Sequence, residues 1–310
     1  MRKTIILLLV VVLLFAACTP TGEKVDKTSP FLGGTEGVTV DFLNFRTDVF
    51  DGGNDPFDIV VQLENKGEFT VPKQDLRVKV SGINPAEFNK LEENLAASPE
   101  DDLLAIRKDP QANILKSPPI TVEFTELSYL GRLVGATQKF PVVVDVCYLY
   151  TTNAVTHLCI LSEVLTPKPG RVCEVNEAKA SFNSGSPVHV ENVKEFARGK
   201  DKVGFTFDLK HVGTGSVYEK ATRCVNERFK NKVLVRVDTR LDGLVCTGLS
   251  ARVGAAVEGT ATLLEGTKTI SCTQTITRSS DFEQPITITL EYDYDIQKRT
   301  EITVKASGQE

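Results

Sequence analysis

The chain has no tryptophan, no methionine after Met1, and only three histidines, His157, His189 and His211, among its 310 residues. Histidines so few, each in its own strand-like context, leave little for a Ser-His-Asp or Cys-His nucleophilic site. No Gly-x-Ser-x-Gly, His-Glu-x-x-His, phosphate-loop or dinucleotide pattern occurs either. Carboxylates are plentiful, but paired-carboxylate glycosidases usually carry aromatic sugar platforms, and here tryptophan is missing. No two cysteines are spaced Cys-x-x-Cys, which with so few histidines argues against a structural zinc. A non-enzymatic protein without a cofactor is expected.

A long apolar run is also missing. The only continuous one, Ile5 to Ala17, has thirteen residues, where a spanning helix needs about 20. It follows Arg2 and Lys3 and ends in Leu14-Phe15-Ala16-Ala17-Cys18, the order of an export signal. That ending resembles the lipobox of prokaryotic lipoproteins. The resemblance implies cleavage before Cys18, lipid on its sulfur, and anchoring on the extracytoplasmic side of the membrane. An ordinary signal peptide cut near a cysteine is the plainer alternative. Residues 1–17 thus read as signal and residues 18–36, rich in Thr, Pro, Gly, Lys and Glu, as a flexible tether.

Cleavage takes Arg2 and Lys3 from the 36 basic residues, leaving 34 against 41 acidic ones, a formal charge of −7. A mildly acidic chain without a basic stripe is not a nucleic-acid binder. Besides Cys18 there are six cysteines, at 147, 159, 173, 224, 246 and 272. An even number in an exported chain predicts disulfides.

What the chain does contain is a repeat. Ile59, Val61, Leu63 and Gly67 fall on Phe205, Phe207, Leu209 and Gly213, at a constant offset. Both segments alternate apolar and polar residues like half-buried strands, and both end at a glycine that can accept a turn conformation. Each is followed by a second strand-like run, Leu76 to Val80 or Val233 to Val237. Further on, residues 141–160 align without a gap on 285–304, with Tyr148 on Tyr292 and Tyr150 on Tyr294. Duplication explains both matches.

Each copy of the second match reads as a hairpin, turning near Thr152–Ala154 or Gln297–Arg299. Alternation puts Thr289, Glu291, Asp293 and Asp295 on the wet face and the four tyrosines in the core. Cys147 and Cys159 then face each other across the hairpin, which predicts a Cys147–Cys159 disulfide. For Cys173, Cys224, Cys246 and Cys272 alternation leaves three pairings open; Cys246 with Cys272 and Cys173 with Cys224 is one. Residues 84–118 are the least strand-like, and Phe88, Leu91 and Leu95 recur at helical spacing, so one or two short inserted helices are expected.

Many short alternating strands in two units predict an all-β chain of two tandem β-sandwiches, 37–165 with insert 84–118 and 187–310, joined by a linker 166–186 rich in Pro, Gly and Ser. The stretches Val60-Val-Gln-Leu-Glu-Asn-Lys-Gly67 and Phe207-Asp-Leu-Lys-His-Val-Gly-Thr-Gly215 resemble a strand-ending pattern, apolar-x-apolar-x-Asn-x-Gly, of Ig-like modules. These are the CARDB-type and fibronectin-III-like domains of archaeal and bacterial envelope proteins. His211 replaces the Asn in the second copy. The resemblance implies an extracellular β-module and brings no catalytic residues with it.

One polar cluster, Asp48, Asp51, Asn54, Asp55 and Asp58, offers oxygen ligands for Ca²⁺. The same residue types are those of a plain turn, and their spacing is not that of an EF-hand. The expected partners are the membrane, through the lipid anchor, and another envelope protein or a surface glycan.

Overall fold

Ile59, Val61 and Leu63 are fully buried while Val60 and Gln62 between them are not, and the same holds for Phe205, Phe207 and Leu209 around Thr206 and Asp208. β-Branched and aromatic residues at this period build strands because each pleat sends alternate side chains to one face. In the computed structural model the described residues are 28–111, 113–166, 170–277 and 280–308. The export segment, Cys18 and the tether up to residue 27 lie outside them. No described helix is long and apolar enough to cross a membrane.

The first half runs β1 (Val38–Phe42), β2 (Asp48–Phe50), β3 (Phe57–Asn65), β4 (Leu76–Ser81), β5 (Ala96–Ala97), β6 (Arg107–Lys108), β7 (Ile114–Leu115), β8 (Ile120–Leu127) and β9 (Thr137–Ile160). The second runs β10 (Phe182–Asn183), β11 (Val188–Gly199), β12 (Lys202–His211), β13 (Ser216–Tyr218), β14 (Lys232–Asp238), β15 (Leu244–Cys246), β16 (Ala251–Val253), β17 (Ala256–Thr262), β18 (Thr267–Thr275) and β19 (Phe282–Lys305). The fold is all-β.

Each half contributes one small sheet to the core, β1-β3-β8 or β11-β12-β18-β15, and the first half adds a two-stranded β6-β7 ribbon. The long sheet belongs to both halves, in the order β16-β17-β14-β19-β9-β4-β5, with β2, β10 and β13 paired alongside. Inward residues of the small sheets and of one face of the long sheet form a single hydrophobic cluster. Residues 31–310 accordingly make one compact unit.

The two expected hairpins do not form. Residues 137–160 and 282–305 are each one unbroken strand, and they pair antiparallel with each other from end to end. Neither Thr152-Asn153-Ala154 nor Gln297-Lys298-Arg299 contains the glycine that a tight two-residue turn favours, and both stretches suit extended backbone. The pairing centres on Leu149 opposite Asp293, which are equivalent positions of the repeat. About this pseudo-two-fold the second arms are exchanged. The early part of β9 lies between β4 and the C-terminal arm of β19, which in turn pairs with β2. The late part of β9 lies between β10 and the early part of β19, which pairs with β14.

This removes the geometric basis for a Cys147–Cys159 disulfide. Twelve residues along one strand separate them by about 40 Å. Cys147 is bonded to Cys224, Cys159 to Cys173, and Cys246 to Cys272, which stands directly opposite it on the neighbouring strand. Cys173–Cys224 is therefore also not a pair. The insert forms two four-residue 3₁₀ turns, Pro85–Phe88 and Glu92–Leu95, in place of α-helices. Asn84 caps the first, and Asn89 ends it in the left-handed conformation. Phe88 and Leu95 are buried, but Leu91 between them is 64% exposed, so the helical spacing does not mark one buried face.

Candidate functional site

The pseudo-two-fold is lined on the core side by the four tyrosines. Tyr148 stands opposite Tyr294 and Tyr150 opposite Tyr292, with ring centroids 5.8 and 6.3 Å apart. Every hydroxyl has a partner, as buried polar atoms require. Tyr148 accepts from the Val38 N–H at 3.0 Å, and Tyr150 donates to the Gly185 carbonyl at 2.9 Å. Tyr292 meets Thr152 Oγ1, and Tyr294 accepts from the Gly215 N–H while touching His211 Nε2. These tyrosines are core residues, and of the four only Tyr294 also borders a surface cavity, beside Val38, Pro187 and Gly213.

The opposite face of the same strands carries the candidate site. On β19 the side chain of Asp293 points outward, as alternation expects, yet it is only 3% exposed. The connection between β12 and β14 covers it. That connection spans residues 212–231, against 66–75 in the first half, and the extra length folds over the sheet. Its stretch 221–224 wraps the carboxylate, with N–H groups of Ala221 and Arg223 donating to the two oxygens at 3.1 and 2.6 Å. Burial nevertheless pushes the Asp293 pKa upward, against the pull of these bonds. To wrap it, Ala221, Arg223, Cys224 and Asn226 all take positive φ, between 55° and 77°. A cluster of non-glycine residues there is strained backbone that its surroundings must hold in place. The Cys147–Cys224 disulfide does that holding.

Beside the wrapped carboxylate lies a cavity of about 450 Å³ on the outer face of the long sheet. Its floor is Cys147 and Leu149 of β9; Arg77 of β4 and the edge residues Ala96 and Ala97 of β5 form one wall, and Arg223 stands on the other. Arg77 is opposite Cys147 on the paired strand, and Arg223 adjoins Cys224, so the disulfide brings both arginines to the lining of one cavity. Among the described residues neither guanidinium has an ion-pair or hydrogen-bond partner. Asp75, on the exposed 3₁₀ turn Lys73–Asp75, is the other carboxylate on the rim.

The aspartates proposed for Ca²⁺ are each engaged by protein. Asp48 pairs with Lys305 at 3.0 Å, and Asp55 binds Arg46 at 2.6 Å and the Phe50 N–H at 2.8 Å. Asp58 accepts from the Glu126 N–H, and Asn54 is exposed. Asp51 accepts from the N–H groups of Leu133 and Ser307 and from the Ser307 hydroxyl. Those bonds hold its pKa down at about 2. Gly52 and Gly53, both at positive φ, complete a turn. Among the described residues no group of three or more His, Cys, Asp or Glu is placed to hold a metal.

A second buried acid lies near the other end of the exchanged strands. Both oxygens of Glu195 accept from the Cys159 N–H, and Lys179 Nζ is 3.0 Å away. Burial pushes this carboxyl up to about 7.

Sequence reasoning named Cys147, Cys224 and Asp293 and missed Arg77 and Arg223. The available signal was the longer 212–231 connection, which no alternation rule places over a sheet face. Compared with models of protein families and with curated proteins, the chain matches none.

Proposed function

We propose that the chain is a lipid-anchored protein of the cell envelope, two Ig-like β-sandwich repeats held by Cys18, and that it works without catalysis in adhesion, scaffolding or assembly. Three disulfides fit an oxidising, extracytoplasmic compartment. The observation that carries the reading is the exchanged β9–β19 pair, locked to the 212–231 connection by Cys147–Cys224. A display protein has to keep its surfaces in a fixed relation while one end is tethered. A ladder shared by both repeats supports that better than two units on a linker would.

Replacing Cys18 with Ser and fractionating membranes tests the anchor: release into the soluble fraction is expected, and retention would refute it. Capture from intact envelopes with the 37–310 fragment tests the role. A recurrent protein partner at near-stoichiometric yield is expected. Recovery of a glycan or small molecule alone would favour the second reading, a ligand-binding lipoprotein. The cavity between Arg77 and Arg223 supports that second reading.

A further inference from the structure

We infer that the cavity at the pseudo-two-fold is a binding site for a small oxyanion ligand, a sugar-sized molecule bearing a carboxylate or phosphate group. The inference deepens the ligand-binding reading and is independent of lipid anchoring, because a soluble preparation tests it.

Four observations converge. The cavity, about 450 Å³, falls in the size class of small-ligand pockets, roughly 300–1,000 Å³. Arg77 and Arg223 line it, and among the described residues their side chains have no ion-pair or hydrogen-bond partner. A guanidinium fork matches carboxylate and phosphate oxygens with two parallel bonds, and two forks across one cavity set a preference for a doubly contacted anion. Asp75 and Asp293 line the same cavity, but among the described residues neither forms an ion pair with either arginine, and the oxygens of Asp293 are taken up by the N–H groups of Ala221 and Arg223 beneath the loop.

The third observation is strain. Ala221, Arg223 and Cys224 at positive φ lie on the segment that presents Arg223, and their conformation is sustained by a disulfide to the opposite repeat. Backbone strain concentrated on one loop, and pinned by a covalent bond, marks positions where geometry matters more than local stability. The fourth is broken symmetry. At the pseudo-two-fold itself the repeat places Leu149 opposite Asp293, apolar against acidic, and both line the cavity. With Ala96 and Ala97, Leu149 offers an apolar surface for a ligand body, while the arginines take its charged group.

Isothermal titration of the oxidised soluble chain with D-glucuronate, glucose 6-phosphate and glucose decides the matter. Binding of either anionic sugar is expected, weakening as salt is raised, with glucose at least tenfold weaker. Glucuronate alone, or the phosphate alone, identifies which acid group the forks accept. Arg77→Gln and Arg223→Gln are exposed changes that leave the fold intact, and each should weaken binding at least tenfold. No binding of either anion up to about 10 mM, equal binding of glucose, or binding unaltered in both variants would overturn the inference.

Discussion

Gly67 and Gly213 end equivalent strands, and neither is there for a turn: both lack the positive φ that would demand glycine. A Cβ on Gly67 would lie 1.9 Å from the Tyr150 hydroxyl and 2.6 Å from the Gly185 carbonyl; one on Gly213 would lie 2.3 Å from the Tyr294 hydroxyl. Tyr150 and Tyr294 are themselves equivalent, so the repeat conserves a glycine-tyrosine contact between its two matched segments. The Asn-x-Gly of the first copy is explained in part by Asn65 Oδ1 accepting the Gly67 N–H at 3.0 Å. Gly67→Ala should destabilise the protein by about 3 kcal/mol, the cost of overpacking a filled core. Gly135→Ala, where nothing lies within 4 Å of the new methyl, should leave the melting temperature unchanged. Equal effects of the two would refute the contact.

Titration also belongs to this scale. Burial, with repulsion from Asp145, pushes the Asp295 carboxyl up to about 6, and burial pushes Glu195 to about 7. A raised folded pKa favours the protonated native state, so this stability is complete below the ordinary carboxyl range and is lost as pH rises through 6 and 7. Asp51, held at about 2, acts oppositely: its contribution is present above pH 4 and is lost as pH falls towards 2. The melting temperature should therefore be highest near pH 4. Asp295→Asn should raise it at pH 8 and flatten the slope between about pH 4 and 6, and Asp51→Asn should remove the loss below pH 4. A flat native profile would contradict both assignments.

At the scale of elements, the 219–226 stretch depends on Cys147–Cys224, which closes a sequence separation of 77. Loop entropy puts such a bond at roughly 4 kcal/mol. The Cys147→Ser/Cys224→Ser pair should lose about that much on denaturant unfolding, and amide exchange of residues 221–224 should speed up before that of β9 does. Non-reducing peptide mapping should show residues 147 and 224 in one linked product; a product linking 147 to 159 would restore the hairpin and reject the exchanged strands. Elsewhere the elements follow their sequence closely. β3, β4, β12 and β14 lie where alternation puts them, because one buried face fixes register against a slip of one residue.

For the whole molecule, exchange means that neither half is complete alone. Residues 187–310 lack the late arm of β9 beside β19 and carry a C-terminal arm whose partners, β2 and the early part of β9, are in the other half. That fragment alone should fail to give a folded monomer, with broad amide resonances or self-association on gel filtration. The full chain cut between Leu161 and Val172 should instead keep the hydrodynamic size of the intact protein, held by its ladder and by Cys147–Cys224 and Cys159–Cys173, which both bridge the cut. Two folded, separable halves after cutting and reduction would show that the strands are not exchanged.

By itself the sequence determined the class of fold, the duplication, the strands and the side of each that faces the core. These follow from local alternation and from a transfer cost that any buried polar face would incur. Only the tertiary structure decided which strands pair across the pseudo-two-fold, and with them the disulfides of Cys147 and Cys159 and the cavity between Arg77 and Arg223. The reason is that a hairpin and an exchanged pair bury the same faces of the same residues. Alternation cannot tell them apart. The choice rests on the missing turn residues at 152–154 and 297–299 and on contacts between residues far apart in the chain. For the same reason a loop over Asp293 was not legible: its length was visible in the sequence, but where it lands depends on the sheet beneath it.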